Sequence, residues 1–454
     1  MISTLVKDLL DLLDSEGITY CHWKSNAALD RSADGRNDLD LLIERSDAAK
    51  FKRCVFSLGF KHAQAPYGPA RIPGIDDFLS FDFELGRFIH AQAHYCLVLG
   101  HDTTKNYRLP VERAFLASRT QDKQYGFPIP SPEWELVIFC FRMILKYSWI
   151  SAALTSRYQL PPNALNELEY LKKRINPENI DQILVDHFSY IDKTLFNYCL
   201  QTIEPGSSKI RWGLARYRLR LALDCASLRG PFHTTLLGMW RHLANAIRLR
   251  TGIGALKRDP MEGGIVVAIM GDFPETQNLI VELKNWLKQA YHVQIVSTQI
   301  PKMESLSSAE DKKKFHHKLL SAFENSLLSR IFRDAILYRR MRNTRRLAGK
   351  GVIVLLDGEG ISQFASKGKS LPPKTASLGD KPGDRTMGQI QSYYDEKGIT
   401  PDLVIVHKKN IEISNNIQLK KSGEKQHITQ PPATYLEVNA DALLHAKKFI
   451  WDNL

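Results

Sequence analysis

Asp38 and Asp40, in the run Asp38-Leu39-Asp40-Leu41-Leu42-Ile43, are the side chains best placed by type and spacing to do chemistry. Alternate residues of a strand share a face, so an Asp-x-Asp pair points both carboxylates the same way. Two carboxylates that close repel unless a cation lies between them, and Mg²⁺ or Mn²⁺ prefers such oxygen ligands. Twelve residues separate Asp38 from the upstream turn Trp23-Lys24-Ser25. That turn offers backbone N–H groups, the Ser25 hydroxyl and the Lys24 ammonium to the phosphates of a nucleoside triphosphate. Metal at Asp38 and Asp40, phosphates at Lys24 and Ser25, and in-line attack by an acceptor are the parts of nucleotidyl transfer.

A second polar set falls on alternate positions of one apolar strand: His90, Gln92 and His94 in His90-Ala91-Gln92-Ala93-His94. They form a candidate strand site or the polar face of a half-exposed strand. A zinc site from His90 and His94 lacks a third ligand at a telling spacing.

The elements that must position these groups are legible in outline. Met1 to Gly17 interleaves leucines with Lys7, Asp8, Asp11, Asp14 and Glu16, which predicts an amphipathic helix and not a secretory signal. Leu39 to Ile43 reads as a strand, Ala48 to Leu58 as a helix ended by Gly59, and Phe78 to Phe83 and Phe88 to Val98 as strands around a Gly-containing turn. After Pro128, Pro130 and Pro132, residues from Glu133 to about 250 read as helical, with Leu236, Trp240, Leu243 and Ile247 at core-stripe spacing. From Asp259 the pattern becomes strand, turn, helix, strand: Ile265 to Met270, Asn278 to Ala290, His292 to Ser297. Val352 to Leu356, Leu403 to Val406 and Tyr435 to Val438 supply further buried strands, which predicts a parallel sheet. Ser366 to Gly388 reads as a mobile loop. Three regions result: 1–128 with the candidate site, a helical and basic connecting region 129–258, and an α/β region 259–454.

The turn after the Ile265–Met270 strand sits where a phosphate-binding loop belongs, but Gly271-Asp272-Phe273-Pro274-Glu275-Thr276-Gln277-Asn278 is a poor one. The working pattern G-x-x-x-x-G-K-[ST] uses glycine for close backbone approach and lysine for charge. Only Gly271 survives. Thr276, Gln277 and Asn278 stand at the second Gly, the Lys and the Ser/Thr, while Pro274 removes a donor and Glu275 adds a negative charge.

On these motifs the first quarter of the chain resembles the nucleotidyltransferase superfamily, with Lys24 where the family has a glycine. The resemblance implies an α+β domain, catalytic Asp38 and Asp40, and a third carboxylate on a later strand. The candidate segment there carries Gln92, so either Asp82 or Glu84 of the neighbouring strand supplies the carboxylate, or the site holds one metal, or catalysis is lost. Residues 262 to 454 resemble the thymidylate-kinase-like P-loop family: Gly351-Val352-Ile353-Val354-Leu355-Leu356-Asp357 matches a family strand, with Gly358 at the usual Arg, and Pro401-Asp402-Leu403-Val404-Ile405 matches another. The order of regions, with Tyr107-Arg108-Leu109-Pro110-Val111-Glu112, is similar to that of bacterial proteins encoded near surface-polysaccharide genes.

Composition is ordinary globular at 43 % hydrophobic and 24 % charged, and 454 residues exceed one ordinary core. The six cysteines are scattered without a CxxC pair, which suits free thiols and a cytoplasmic location. Of the net charge of +13, most lies between Lys209 and Arg258, where eleven Lys or Arg face one acid, Asp224. Such a block favours an anionic partner: a phosphate substrate, a membrane surface at the inner face, or nucleic acid. Nucleic acid ranks lower because the tryptophans there fit core stripes better than base-stacking platforms. The leading expectation is a metal-dependent nucleotidyltransferase with a small-molecule or surface-polysaccharide-related acceptor and an inactive kinase-like lobe that binds acceptor or protein. A non-catalytic scaffold is the alternative.

Overall fold

The computed structural model describes residues 2–64, 72–101, 104–147, 159–250, 257–271, 275–297, 339–340, 342–357, 401–407, 434–438 and 442–454. The expected loop from Ser366 to Gly388 lies outside them. The chain divides into two compact units, Met1–Leu256 and Lys257–Leu454.

In the first unit, Ser3 caps helix α1 (Thr4–Ser15) by accepting from the Val6 N–H. Val6, Leu9, Leu10 and Leu13 fall on one face at helical spacing and are buried. Strand β1 (Tyr20–His22) leads through a short helix α2 (Leu29–Ala33) to β2 (Leu39–Ile43) and helix α3 (Ala48–Ser57). Then come β3 (Lys61–Gln64), β4 (Ile75–Asp82) and β5 (Arg87–His94). These strands lie side by side in the order β1-β2-β5-β4-β3. Neighbours are antiparallel except β2 and β5, which run parallel. The β4–β5 hairpin starts earlier and ends earlier than its apolar residues suggest. The expected Phe88–Val98 strand breaks after His94, and Leu97–Leu99 forms a separate strand, β6, paired with β7 (Tyr107–Leu109).

Leu39, Leu41 and Ile43 of β2 join Ile89, Ala91 and Ala93 of β5 in a core with Val6, Leu9 and Leu13 of α1 and Phe51 and Val55 of α3. The opposite face meets a second core. Cys21, Trp23 and Leu42 share it with residues of the later helices. After α4 (Glu112–Ala117) and the short strands β8 (Thr120–Gln121) and β9 (Pro128–Ile129), helix α5 (Pro132–Lys146) begins with a Ser131 cap and a proline in its first turn. It is buried nearly all round, from Glu133 to Leu145, save Arg142. Packed with it are α6 (Pro162–Lys172), α7 (Pro177–His187), α8 (Lys193–Thr202) and α9 (Lys209–Ala222), followed by α10 (Pro231–Arg250). The 129–258 helices through α9 therefore share a core with the strand layer instead of merely connecting two lobes.

The basic block divides in this setting. Arg216 donates to the carbonyls of Ile144 and Leu145 at 3.1 and 2.9 Å, and burial lowers its pKa to about 10. Arg220 donates to the Tyr107 hydroxyl at 2.9 Å. Trp212 is core, as its stripe predicts, but the Leu236, Trp240 and Leu243 stripe of α10 is exposed and not core. Five of the six cysteines are buried and all are free thiols; only Cys225 is exposed. Burial pushes the Cys199 thiol up to about 12 and also raises Cys21 and Cys140 well above the ordinary thiol range.

The second unit begins with a two-residue strand, β10 (Asp259–Pro260), then β11 (Val266–Gly271), helix α11 (Glu275–Leu287) and β12 (Val293–Ser297). Strands β13 (Ile353–Asp357), β14 (Leu403–His407) and β15 (Thr434–Val438) and helix α12 (Ala442–Asn453) follow. The sheet order is β12-β13-β11-β14-β15, every pair parallel. Val267, Ala268, Val354, Leu355, Val404 and Ile405 are buried, as strands covered on both faces must be. The molecule is thus mixed α/β, and no described helix is long and apolar enough to cross a membrane.

Leu41 is wholly buried at the centre of the first sheet. Leu41→Ala should lower unfolding free energy by about 2–5 kcal/mol, read from chemical denaturation.

Candidate functional site

Strand alternation sets the site. The residues of β2 and β5 that do not face α1 and α3 include Asp40 and Leu42 on one strand and His90, Gln92 and His94 on the other. Register brings Asp40 of β2 and Asp77 of β4 to opposite sides of Gln92, so these three form one row across the sheet. His90 Nδ1 lies 2.7 Å from Asp38 Oδ1, and its Nε2 lies 2.8 Å from Asp77 Oδ1. Ionised carboxylates only accept, so the ring serves both when both its nitrogens carry protons. Gln92 Nε2 donates to the same Asp77 oxygen at 3.1 Å, and its Oε1 lies 2.9 Å from His94 Nε2. Asp40 is buried, whereas the Asp38 side chain, one residue before β2, is 55 % exposed. The row therefore runs from solvent inward.

Lys24 closes the inner end. Its Nζ stands 2.8 Å from Asp40 Oδ1, a charge pairing without hydrogen-bond alignment. The same ammonium lies 5.0 Å from the centre of the Trp23 ring. That ring meets His94 edge-on at 5.0 Å. Burial, then the charge of Lys24, hold His94 well below the usual imidazole range.

The turn that holds Lys24 is clamped by the helices. Ser25 has a left-handed backbone, φ 61°, uncommon for a residue with a Cβ. Its N–H donates to Glu167 Oε1 at 3.0 Å, and the Asn26 N–H donates to Glu135 Oε1 at 3.2 Å. Arg142 donates to the same Glu167 oxygen at 2.9 Å. Asn26 also bonds the His22 ring and carbonyl. Burial, reinforced by the charge of Glu167, pushes Glu135 up to about 7. Burial lowers His22.

Asp38, Asp40, His90, Gln92, His94 and Lys24 are brought together. Ser25 is adjacent, but its N–H serves a protein carboxylate and not an open cradle. The expected third carboxylate requires correction. Asp82 pairs across from Arg87 at the far end of β4, where it accepts from the Ser3 hydroxyl at 2.6 Å and from the Glu84 and Leu85 N–H groups. Glu84 accepts from Thr4 on α1. Both belong to the hairpin end, and Asp77 is the carboxylate that reaches the row. Counting outward equally from between Glu84 and Leu85, the middle of the turn, puts Asp77 opposite Gln92, a signal present in the sequence but hidden by starting the strand at Phe78. Glu135 and Glu167 carried no local signal, since they come from helices more than a hundred residues on.

Carboxylate oxygens at Asp38, Asp40 and Asp77 suit a hard divalent cation in chemistry. Among the described residues no three His, Cys, Asp or Glu side chains stand grouped as a metal set, because His90 and Lys24 lie between the acids.

In the second unit, Gln277, at the position of the missing lysine, donates to Asp357 Oδ2 at 2.7 Å. The Ser297 hydroxyl donates to that oxygen at 3.4 Å. Thr276 is fully buried. Gly271 ends β11, Asn278 lies within α11, and the intervening residues 272–274 fall outside the described set. No family model, curated protein or solved structure matches the chain.

Glu135 generates a pH-dependent outcome. Its folded pKa of about 7 exceeds the ordinary 4.5, so folding favours its proton. That stability is complete below about pH 4.5 and is lost as pH rises through about 7. Glu135→Gln keeps an acceptor for the Asn26 N–H and removes the titration. Denaturant unfolding across pH 4.5–8 should show a flatter decline for the variant, with a difference on the order of 3 kcal/mol at the alkaline end.

Proposed function

We propose that the row on β2, β4 and β5 is a metal-dependent nucleotidyl- or related phosphoryl-transfer site with a small-molecule or surface-polysaccharide-related acceptor. The observation that carries this reading is that Asp38, Asp40 and Asp77 border one polar row, with His90 between Asp38 and Asp77 and Lys24 beside Asp40. Mg²⁺ or Mn²⁺ would be held by Asp38, Asp40 and Asp77, and would supply charge to a transferring phosphoryl group. Lys24, released from Asp40, neutralises phosphate oxygens, and Asp38, the exposed member, faces the incoming nucleoside triphosphate. The parallel–antiparallel mixture of β1, β2, β5 and β4 around an Asp-x-Asp strand supports a nucleotidyltransferase-like unit.

In the second unit the all-parallel order β12-β13-β11-β14-β15 supports a P-loop kinase-like lobe. The Gln277–Asp357 hydrogen bond supports its inactivity as a kinase. The neutral amide of Gln277 occupies the carboxylate at the strand end, and the loop sequence carries that glutamine where the working motif has its lysine. The lobe serves binding of acceptor or of another protein.

One observation favours a non-catalytic scaffold instead. The Ser25 and Asn26 N–H groups, which a phosphate would use, are already satisfied by Glu167 and Glu135. Activity separates the two readings. Purified protein is given each labelled nucleoside triphosphate with Mg²⁺ or Mn²⁺ and a cell extract as acceptor source. Transfer should occur in the wild type and fall at least about a hundredfold, some 2.7 kcal/mol, in Asp40→Asn and Asp77→Asn, with unfolding midpoints little changed. Asp82→Asn should keep activity and lose stability, on the order of 1–3 kcal/mol. A wild type inert with every nucleotide and metal would move the scaffold ahead, and a fully active Asp40→Asn would remove this site.

A further inference from the structure

Helix α10 has an apolar face with nothing described upon it. Phe232 is 82 % exposed and Trp240 60 %, and Leu236, Met239 and Leu243 are each more than half exposed. Their spacing places them along one side of the helix. Helix α9 repeats the arrangement with Ile210, Leu214, Tyr217 and Leu221 exposed while Trp212, Ala215 and Leu219 enter the core. Isolated exposed apolar residues are ordinary, but a continuous stripe of Phe, Leu, Met and Trp marks an interaction surface.

Charge identifies what it meets. From Cys225 to Arg258 the sequence holds no Asp or Glu, while Arg229, Arg241, Arg248, Arg250, Lys257 and Arg258 all carry positive charge. The root of α10 is fixed to the first unit. The Leu228 N–H donates to the Asn106 carbonyl at 2.7 Å, Asn106 Nδ2 donates to the Arg229 carbonyl at 2.9 Å, and the Arg229 guanidinium donates to the Thr104 carbonyl at 3.3 Å. The helix is therefore anchored at its start and amphipathic beyond.

We propose that α10 lies in the plane of an anionic phospholipid membrane, its Phe232–Leu243 stripe in the headgroup–acyl boundary and its arginines on acidic headgroups. A helix sequence with an aromatic and aliphatic stripe, three arginines and no carboxylate has the composition of interfacial helices. The helix docks and does not span, in keeping with the absence of any described helix apolar enough to cross. A second copy of the chain fits poorly, since like charges would face each other. Nucleic acid fits poorly too, because Leu236, Met239 and Leu243 offer no stacking surface and fill the space between the two aromatics.

Full-length protein is floated with vesicles of phosphatidylcholine alone and with vesicles containing phosphatidylglycerol. It should bind only the anionic vesicles and be released as salt rises. The double variant Phe232→Ser/Trp240→Ser should bind at least about tenfold more weakly while circular dichroism and thermal midpoint stay at wild-type values, because both side chains are exposed. Arg248→Glu/Arg250→Glu should weaken binding further at low salt. No binding to anionic vesicles at low salt would overturn the proposal. So would vesicle binding indifferent to the double serine variant, or a self-associated species dispersed by that variant in protein that does not float.

Discussion

The parallel pairing of β2 with β5 is the constraint on which the first unit depends. A strand buried on both faces normally reads as continuous apolar sequence, but β2 alternates two kinds of interior. One set of its side chains meets the α1 and α3 layer, and the other meets either the polar row or the helical core. A slip of one residue would send Asp40 into the leucine-rich core and Leu41 into the row of acids. Register and site are thus the same fact, and the burial of Asp40 is tolerable only because Lys24 arrives from the adjacent turn.

The helical layer acts on that turn. Glu135 and Glu167 rise from α5 and α6 to accept from consecutive backbone N–H groups, and Arg142 steadies Glu167. The left-handed Ser25 backbone is held by these bonds, and strain of this kind persists where surroundings over-determine it. Burial, reinforced by the neighbouring Glu167 charge, is why Glu135 keeps its proton toward neutral pH. The position of Lys24 is therefore set by residues from three separate parts of the chain.

Local signals in the sequence identified the pieces made by periodicity. Asp38-x-Asp40, the amphipathic first helix, the parallel strands of the second unit and the alternation of His90, Gln92 and His94 all depend on nearest neighbours. The structure differs where partners are remote. Asp77 is set by hairpin register, Glu135 and Glu167 by helix docking, and the exposure of Trp240 by what the rest of the unit leaves uncovered. Helical spacing alone makes Trp212 and Trp240 look alike, yet one is core and the other faces outward. Periodicity says that a helix has an apolar side and is silent on whether anything covers it.

The distribution of thiols gives the molecule a built-in reporter of opening. Five sulfurs are buried, four of them in the two cores of the first unit, with their proton affinities raised by burial, so they offer almost no thiolate to an electrophile. Cys225 alone faces solvent, a few residues before the anchored root of α10. An alkylating reagent would meet one quick sulfur in the native protein and the rest only as each core parts. The sulfurs divide between the layers, Cys54 beside α1 and Cys140 and Cys199 among the helices, so the order in which they react would report which layer loosens first.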